Sequence, residues 1–335
     1  MITLGIECTA HTLSIGIVRK TDRELNVLAN VIDTYSGGEE GLIPRKLADH
    51  HSQVFASVLD KALQTAKIKI EDIDLVAFSQ GPGIGAPLSL GISAAKYIAL
   101  TNGKPLVGVN HCFAHVKISE TMCGVSNKDN SQISPLILYL SGGNSQILVE
   151  DKKGYYHILG ETLDIGIGNL FDSFERAIKM KNAHGSALAK LAEGGKYVEL
   201  PYSVKGMNLV FSGLQTAAEK AAKTHSHKDV AYSLMETSFA MVVEATERAL
   251  FLSGKTNLVV CGGVAQNRRL QEMLRKMCHE AEVGFGVAPD EFNRDNGAMI
   301  AYAGMLLYER YGPMQIKDCN PITNYRIDKM KEIVG

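Results

Sequence analysis

ITLGIECTAHTLSIGIV, residues 2–18, consists of two apolar runs broken by a short polar segment from Glu7 to Thr12, the pattern of strand, turn and strand. SPLILYLSGGNSQILVE, residues 134–150, repeats it as LILYL, SGGNS and QILVE. Two such hairpins about 130 residues apart predict a duplicated architecture with two similar halves. Both turns are rich in Ser, Thr or Gly, so each offers hydroxyls and backbone N–H groups to an anion.

Outward from the hairpins the chain alternates in type. ADHHSQVFASVLDKALQTAK (48–67) has helical periodicity, IDLVAFSQ (73–80) reads as a buried strand, PLSLGISAAKYIALTNG (87–103) as a helix ending at Gly103, and KPLVGVN (104–110) as another strand. After the second hairpin, IGNLFDSFERAIKMKN and AHGSALAKLAEGG look helical, and VAYSLMETSFAMVVEATERALFLSG is a long amphipathic helix closed by Gly254. TNLVVCGGVAQNRRLQEMLRKMC then reads as strand, glycine turn and helix, and NGAMIAYAGMLLYERYG as a final helix. This is an α/β order. At 335 residues the chain suggests two domains. The expected division is an N-terminal lobe over 1–130 and a C-terminal lobe over 131–335 with a helical insertion at about 170–250, the last helix packing back on the first lobe.

Composition narrows the class. Hydrophobic residues make up 45% and charged residues 21%, as in a globular protein. No apolar stretch reaches the roughly 20 residues of a membrane span, and the N-terminal run carries Glu7 and His11, unlike a secretory leader. A cytoplasmic protein without a membrane partner is expected. Six cysteines lie scattered without a CxxC and read as reduced, mostly buried thiols. A net charge of −1 gives no global footprint for nucleic acid, leaving local patches such as Arg268, Arg269, Arg275 and Lys276, which read equally as a solvated helix face.

NHCFAHVKIS (110–119) sets His111 and His115 four residues apart. On a helix the two share one face, where two imidazoles converge on one cation. The same spacing suits two packed histidines, and both readings stand at this point. Cys112 occupies the place where a zinc peptidase carries its glutamate, so a peptidase lacks its general base. Asp295, just before the final helix, suits a helix N-cap and equally suits the carboxylate of a three-ligand open metal site. GPGIGA (81–86) matches a dinucleotide turn, but it lies deep in the chain with Pro82 inside it and no acid follows for a ribose, so it reads as a tight packing turn. No GxxxxGK[ST] occurs. SGGNS (141–145) is suited to cradle phosphate, and CGGVAQN (261–267) to hold a base and ribose with Asn267 as the hydrogen-bonding side chain. The ordered set of hairpin turns and strand-GG-helix turn is that of the actin, sugar-kinase and Hsp70 (ASKHA) type of duplicated fold, two lobes around a nucleotide cleft.

GIECTAHTLSIGIV, GPGIGAPLSLG, NHCFAH, LYLSGGNSQI, GETLDIGIGNLFD, ELPYSVKGMNLVFSGL, CGGVAQNRRL and DEFNRDNGAMIAYAG, in this order and over nearly the whole chain, resemble the TsaD-type family of tRNA N6-adenosine threonylcarbamoyltransferases, formerly called O-sialoglycoprotein endopeptidases. ECTAHT and NPITNYR are similar to its archaeal and eukaryotic branch, whose members work in the KEOPS complex with a kinase-like ATPase and accessory subunits. The resemblance implies transfer of a threonylcarbamoyl group from its mixed anhydride with AMP to N6 of adenosine 37 in tRNAs reading ANN codons. It implies one divalent metal, most often iron with zinc or magnesium as alternatives, on His111, His115 and Asp295, with Tyr139 placed near it. It further implies an adenine nucleotide held by Tyr139, Leu140, Ser141, Gly142, Gly143, Asp172, Gly185 and Asn267. One departure stands out: NAHGSALAK keeps Gly185, but Ala189 replaces an expected carboxylate. No residue stands out as general base. The rival readings are an ATP-dependent small-molecule kinase of the same fold, which leaves the histidine pair unused, and a nucleotide-binding scaffold without chemistry of its own.

Overall fold

A computed structural model describes residues 1–21, 24–36, 43–125, 134–180 and 185–330. They form two compact units, Met1–Ile118 with Arg294–Gly335, and Ser119–Asn293. The boundary expected at 130/131 lies in 126–133, outside the described residues.

The first unit is built on a mixed sheet. The opening hairpin is β1 (Ile2–Glu7) and β2 (Thr12–Lys20), and β3 (Leu25–Thr34) extends it antiparallel. On the other side of β1 lie β4 (Leu75–Gly81) and β5 (Leu106–Asn110), both parallel, giving the order β3-β2-β1-β4-β5. Strand β4, LVAFSQG, is buried throughout, as a parallel strand covered on both faces must be. Side-chain alternation assigns its faces. Leu4 and Ile6 join a core with Val58 of α1 (Pro44–Ala66) and Ala95 of α2 (Gly85–Thr101), whereas Gly5 between them faces the final helix.

That final helix, Gly297–Tyr311, rests on the sheet through glycine. A Cβ on Gly16 would lie 2.0 Å from Ala298 N, and one on Gly297 would lie 2.1 Å from Gly16 N. Real Cβ atoms do not approach so closely, so only glycines let the helix start against the hairpin. Between strand β5 and the second unit runs α3 (His111–Met122), which begins directly where the strand ends.

The second unit repeats the plan. Its hairpin is β6 (Leu136–Leu140) and β7 (Ser145–Glu150), extended by β8 (Tyr156–Glu161). A short ribbon, β9 (Val204–Lys205) and β10 (Asn208–Leu209), is joined to the end of β8 by a bridge between Thr162 and Leu209. β11 (Asn257–Cys261) and β12 (Gly284–Val287) complete the sheet in parallel, so its order β8-β7-β6-β11-β12 matches the first. The duplicated α/β fold read from the two hairpins is therefore present. Around this sheet stand α4 (Ile167–Ala177), α5 (Gly185–Ala192), α6 (Ser212–Ala221), α7 (His227–Ser253), α8 (Arg268–Glu280) and α9 (Asp290–Asn293); the final helix of the first unit is α10. Gly254 closes α7 at φ 62°, as its position in the sequence predicts. Phe171 of α4 meets Phe239 of α7 edge to face with centroids 5.7 Å apart, in a core shared with Leu136, Leu138 and Leu258. Among the described residues no helix is long and apolar enough to cross a membrane.

Candidate metal centre and nucleotide loops

The histidine pair lies in the first unit. Asn110, the last residue of β5, accepts a hydrogen bond from Phe113 N through its Oδ1 at 3.0 Å and so caps the start of α3. His111 and His115 then stand one turn apart, both buried, with ring centroids 4.7 Å apart. Asp295 reaches them from just before α10: its Oδ1 is 3.3 Å from His115 Nε2 and 3.5 Å from His111 Nε2. Of the two readings of Asp295, the N-cap is excluded, because Asn296 caps α10 by accepting from Met299 N at 2.9 Å. The three donor atoms lie within 4.8 Å of one another, in the only grouping of its kind among the described residues that could hold a metal ion. Two imidazoles and one carboxylate are a borderline-soft donor set with room for further ligands, which fits a divalent transition ion.

A fourth residue, missed in the sequence, completes the arrangement. Glu7, fully buried at the end of β1, accepts a hydrogen bond from His111 Nδ1 at 2.9 Å. Its other oxygen takes the backbone N–H of Thr9 at 2.8 Å and the Thr9 hydroxyl. With Nδ1 bound to a carboxylate, His111 directs Nε2 toward Asp295, the orientation a metal ligand needs. Nothing local signals this contact, since 104 residues separate the partners.

Electrostatics in this buried cluster are lopsided. Burial alone would lower the His111 pKa, but the charges of Glu7 and Asp295 outweigh it and raise it to about 9. For His115 burial wins over the Asp295 hydrogen bond, and the ring is held neutral. Burial opposes the Asp295 carboxylate, yet His111 and His115 hold it well below the usual carboxylate range. A proton on His111 thus competes with any cation for the same cluster.

The remaining predicted residues belong to the second unit. β6 and β11 are adjacent and parallel, Tyr139 pairing with Cys261, so the SGGN and CGGVAQN turns leave the same end of the sheet. Ligands of α/β sheets bind at that end. Tyr139 and Leu140 are buried in β6, whereas Gly142 and Gly143 are exposed. The turn's carbonyls are engaged: Ser141 O accepts from Gly168 N at 3.3 Å and Gly142 O from Asn169 N at 2.9 Å, docking the turn on the start of α4. Asp172 lies half-buried on that helix, and Gly185 opens α5.

The two glycines of CGGVAQN do different work. Gly262, at φ +94°, presses against β6, where a Cβ would lie 2.3 Å from Leu140 O. Gly263 faces open space, where a Cβ would meet nothing within 4 Å. Asn267 is the N-cap of α8, its Oδ1 accepting from Arg269 N and Leu270 N. Ala189 packs against the hydrophobic core of the unit. The GPGIGA turn uses Gly83 N on Thr323 O and Ile84 N on Thr9 O, so it is a packing turn. The basic positions are engaged within the unit: Arg268 pairs with Asp290, Arg269 with Glu236 and Lys276 with Glu280, and Arg275 lies over Phe285.

Comparison with known proteins identifies the family. Residues 26–302 match the TsaD family model, described as tRNA N6-adenosine threonylcarbamoyltransferase. The chain is 47% identical over 334 residues to the tRNA N6-adenosine threonylcarbamoyltransferase of Thermococcus sibiricus, covering 99% of each. It is 43% identical over 332 residues to the probable bifunctional tRNA threonylcarbamoyladenosine biosynthesis protein of Thermoplasma acidophilum, covering 98% of this chain and 60% of that one. Among solved structures, T. kodakarensis HypF superposes with a TM-score of 0.58 at 15% identity, over 91% of this chain and 47% of that one. The ADPNP-bound activator of the 2-hydroxyisocaproyl-CoA dehydratase from Clostridium difficile gives 0.51 at 14%, over 92% and 97%. These two likenesses carry the fold alone.

Proposed function

The chain belongs to the TsaD family of tRNA N6-adenosine threonylcarbamoyltransferases, and on that premise we propose which of its residues carry the reaction. It is a transferase that places a threonylcarbamoyl group on N6 of an adenosine in tRNA. The proposed donor is the mixed anhydride with AMP, and the proposed acceptor is adenosine 37 of tRNAs reading ANN codons.

The exocyclic amine of adenosine is a weak nucleophile because its lone pair is delocalised into the ring. Catalysis therefore falls on positioning the donor and stabilising charge at the carbonyl and the departing phosphate. We assign the AMP portion to the loops of the second unit. The exposed Gly142 and Gly143 present backbone to the phosphate, Asp172 and Gly185 flank it on α4 and α5, and Gly263 and Asn267 receive the nucleoside.

His111, His115 and Asp295 are assigned to a divalent cation, iron by family resemblance, and the observation that carries this is their convergence within 4.8 Å. When bound, such a cation supplies Lewis-acid polarisation of acyl-adenylate oxygens. Glu7 holds the His111 ring in register, and Asn296 leaves Asp295 available by taking over the helix cap. Tyr139, buried at the end of β6, is the proposed further contact near the metal. We place the protein in the cytoplasm, where six free cysteines suit a reducing compartment, as the catalytic subunit of a KEOPS-type assembly with a kinase-like ATPase. Incubating the purified chain, with and without that ATPase, with threonylcarbamoyl-AMP and unmodified tRNA should yield the modified nucleoside on digestion. Its absence in every combination removes the reading.

A further inference from the structure

The first unit ends in a segment that folds back across the sheet. Residues 318–325, DCNPITNY, run over the ends of β4 and β5 and are tied down at both. At β4, Gln80 donates from Nε2 to Asp318 O at 3.1 Å and to Asn320 O at 3.0 Å, while Ile322 N donates to Gln80 O at 2.8 Å. The fit is close: a Cβ on Gly81 would fall 1.9 Å from Ile322 O. Beyond the strand, Gly83 N donates to Thr323 O at 3.1 Å. At β5, Asn110 donates from Nδ2 to Tyr325 O at 2.9 Å. Tyr325 and Cys319 are buried, so the segment is packed as well as bonded.

Two routes lead from this segment to His111. The first is Asn110, whose side chain is used at both ends: Nδ2 holds the segment and Oδ1 caps α3 at Phe113 N, so the amide that fixes the first turn of the histidine helix is itself fixed by Tyr325 O. The second runs from Thr323 O to Gly83 N, from the adjoining Ile84 N to Thr9 O at 2.7 Å, and from Thr9 to Glu7, which holds His111 Nδ1. One route sets where the helix starts, and the other sets the carboxylate that orients the ring. The first route is buried throughout and the second from Thr9 to His111, and buried hydrogen bonds transmit position because an unmade bond there is costly.

We propose that residues 318–325 are a positioning strap for the metal centre, with Gln80 and Asn110 as its two clasps. The inference rests on the reading of His111, His115 and Asp295 as metal ligands. Neither clasp is a ligand. Gln80→Met keeps the size of the side chain and removes both donors, and Asn110→Ser keeps an α3 cap while losing its reach to Tyr325 O. Supporting shells of this kind alter metal affinity by roughly 10–100-fold. Because the clasps act through one segment, their combined effect should fall short of the product of the single effects.

The test uses the full chain, stripped with chelator and titrated with Co²⁺, reading affinity by competition and ligand field by the visible d–d bands. The strap predicts that Gln80→Met and Asn110→Ser each weaken Co²⁺ binding about tenfold or more and shift the bands. Wild-type affinity and bands in a folded Gln80→Met chain, even with a lowered melting temperature, overturn it. If wild type itself binds no Co²⁺, the metal reading has failed rather than the strap. Hydrogen exchange on wild type needs no variant to fold: Co²⁺ should slow exchange of the Ile322 and Phe113 amides together, by the reciprocity of coupled sites. Unchanged exchange at both, with the ion bound, also overturns the strap.

Discussion

The two hairpin turns sit at equivalent places in sheets of the same strand order, yet they carry opposite chemistry. At the end of β1 the chain buries a carboxylate, Glu7, and uses it on a histidine of another element. After β6 it exposes bare backbone at Gly142 and Gly143. One turn thus serves a side-chain cluster suited to a cation, and the other a surface suited to an anion. The same strand order occurs twice, with different chemical groups at the two turns.

This contrast can be broken from either side. The largest effect is expected from His111→Ala combined with His115→Ala, which removes two of the three proposed ligands. Modification of tRNA should fall by at least about 100-fold, while AMP binding, read by calorimetry, persists. Loss of both together would mean that the two turns do not divide the work as stated. Next in size is Glu7→Gln, which keeps the shape of the side chain but removes the anion that orients His111. Divalent-ion affinity should drop roughly 10–100-fold by chelator competition, and unchanged affinity would reduce Glu7 to a packing residue.

On the anion side, Gly143→Val tests whether the exposed turn receives phosphate. A Cβ there meets nothing within 4 Å, so the melting temperature should hold while AMP affinity weakens by about tenfold. A stable variant with wild-type nucleotide affinity would remove this turn from the binding site. The smallest effect concerns stability. Burial and the nearby Asp172 charge raise Glu175 to about 7, so the folded chain holds a proton that the unfolded chain releases. Its contribution is therefore full at low pH and lost as pH rises from the usual carboxylate range through 7, on the order of 3 kcal/mol. Glu175→Gln retains an acceptor for Leu188 N and should flatten the fall in melting temperature between pH 5 and 8. An identical slope in the variant would assign the dependence to another group.

Much of the fold was legible because its signals are local. The hairpins are written as apolar runs around short turns, and Gly254 ends α7 where its position predicts. The histidine spacing was equally legible, since a helix brings residues four apart to one face. Contacts across the fold were not. Glu7 reads only as an acid interrupting an apolar run, and the chain must close a sheet to bring it to His111. Asp295 and Asn296 are adjacent and both suit a cap, and only the geometry of α10 divides the roles. The basic residues of α8 read equally as a patch for nucleic acid and as a solvated face, and their pairing with Glu236 and Asp290, distant in sequence from Arg269 and Arg268, was not legible.

The cation side of the comparison has a direct test. Wild-type chain and the His111→Ala, His115→Ala chain, purified side by side under conditions that exclude oxygen, are analysed for bound metal by elemental analysis. One divalent ion per wild-type chain and none on the double variant is the predicted result. Equal metal on both, or a wild-type chain that takes up none when Fe²⁺ or Zn²⁺ is supplied, would contradict it.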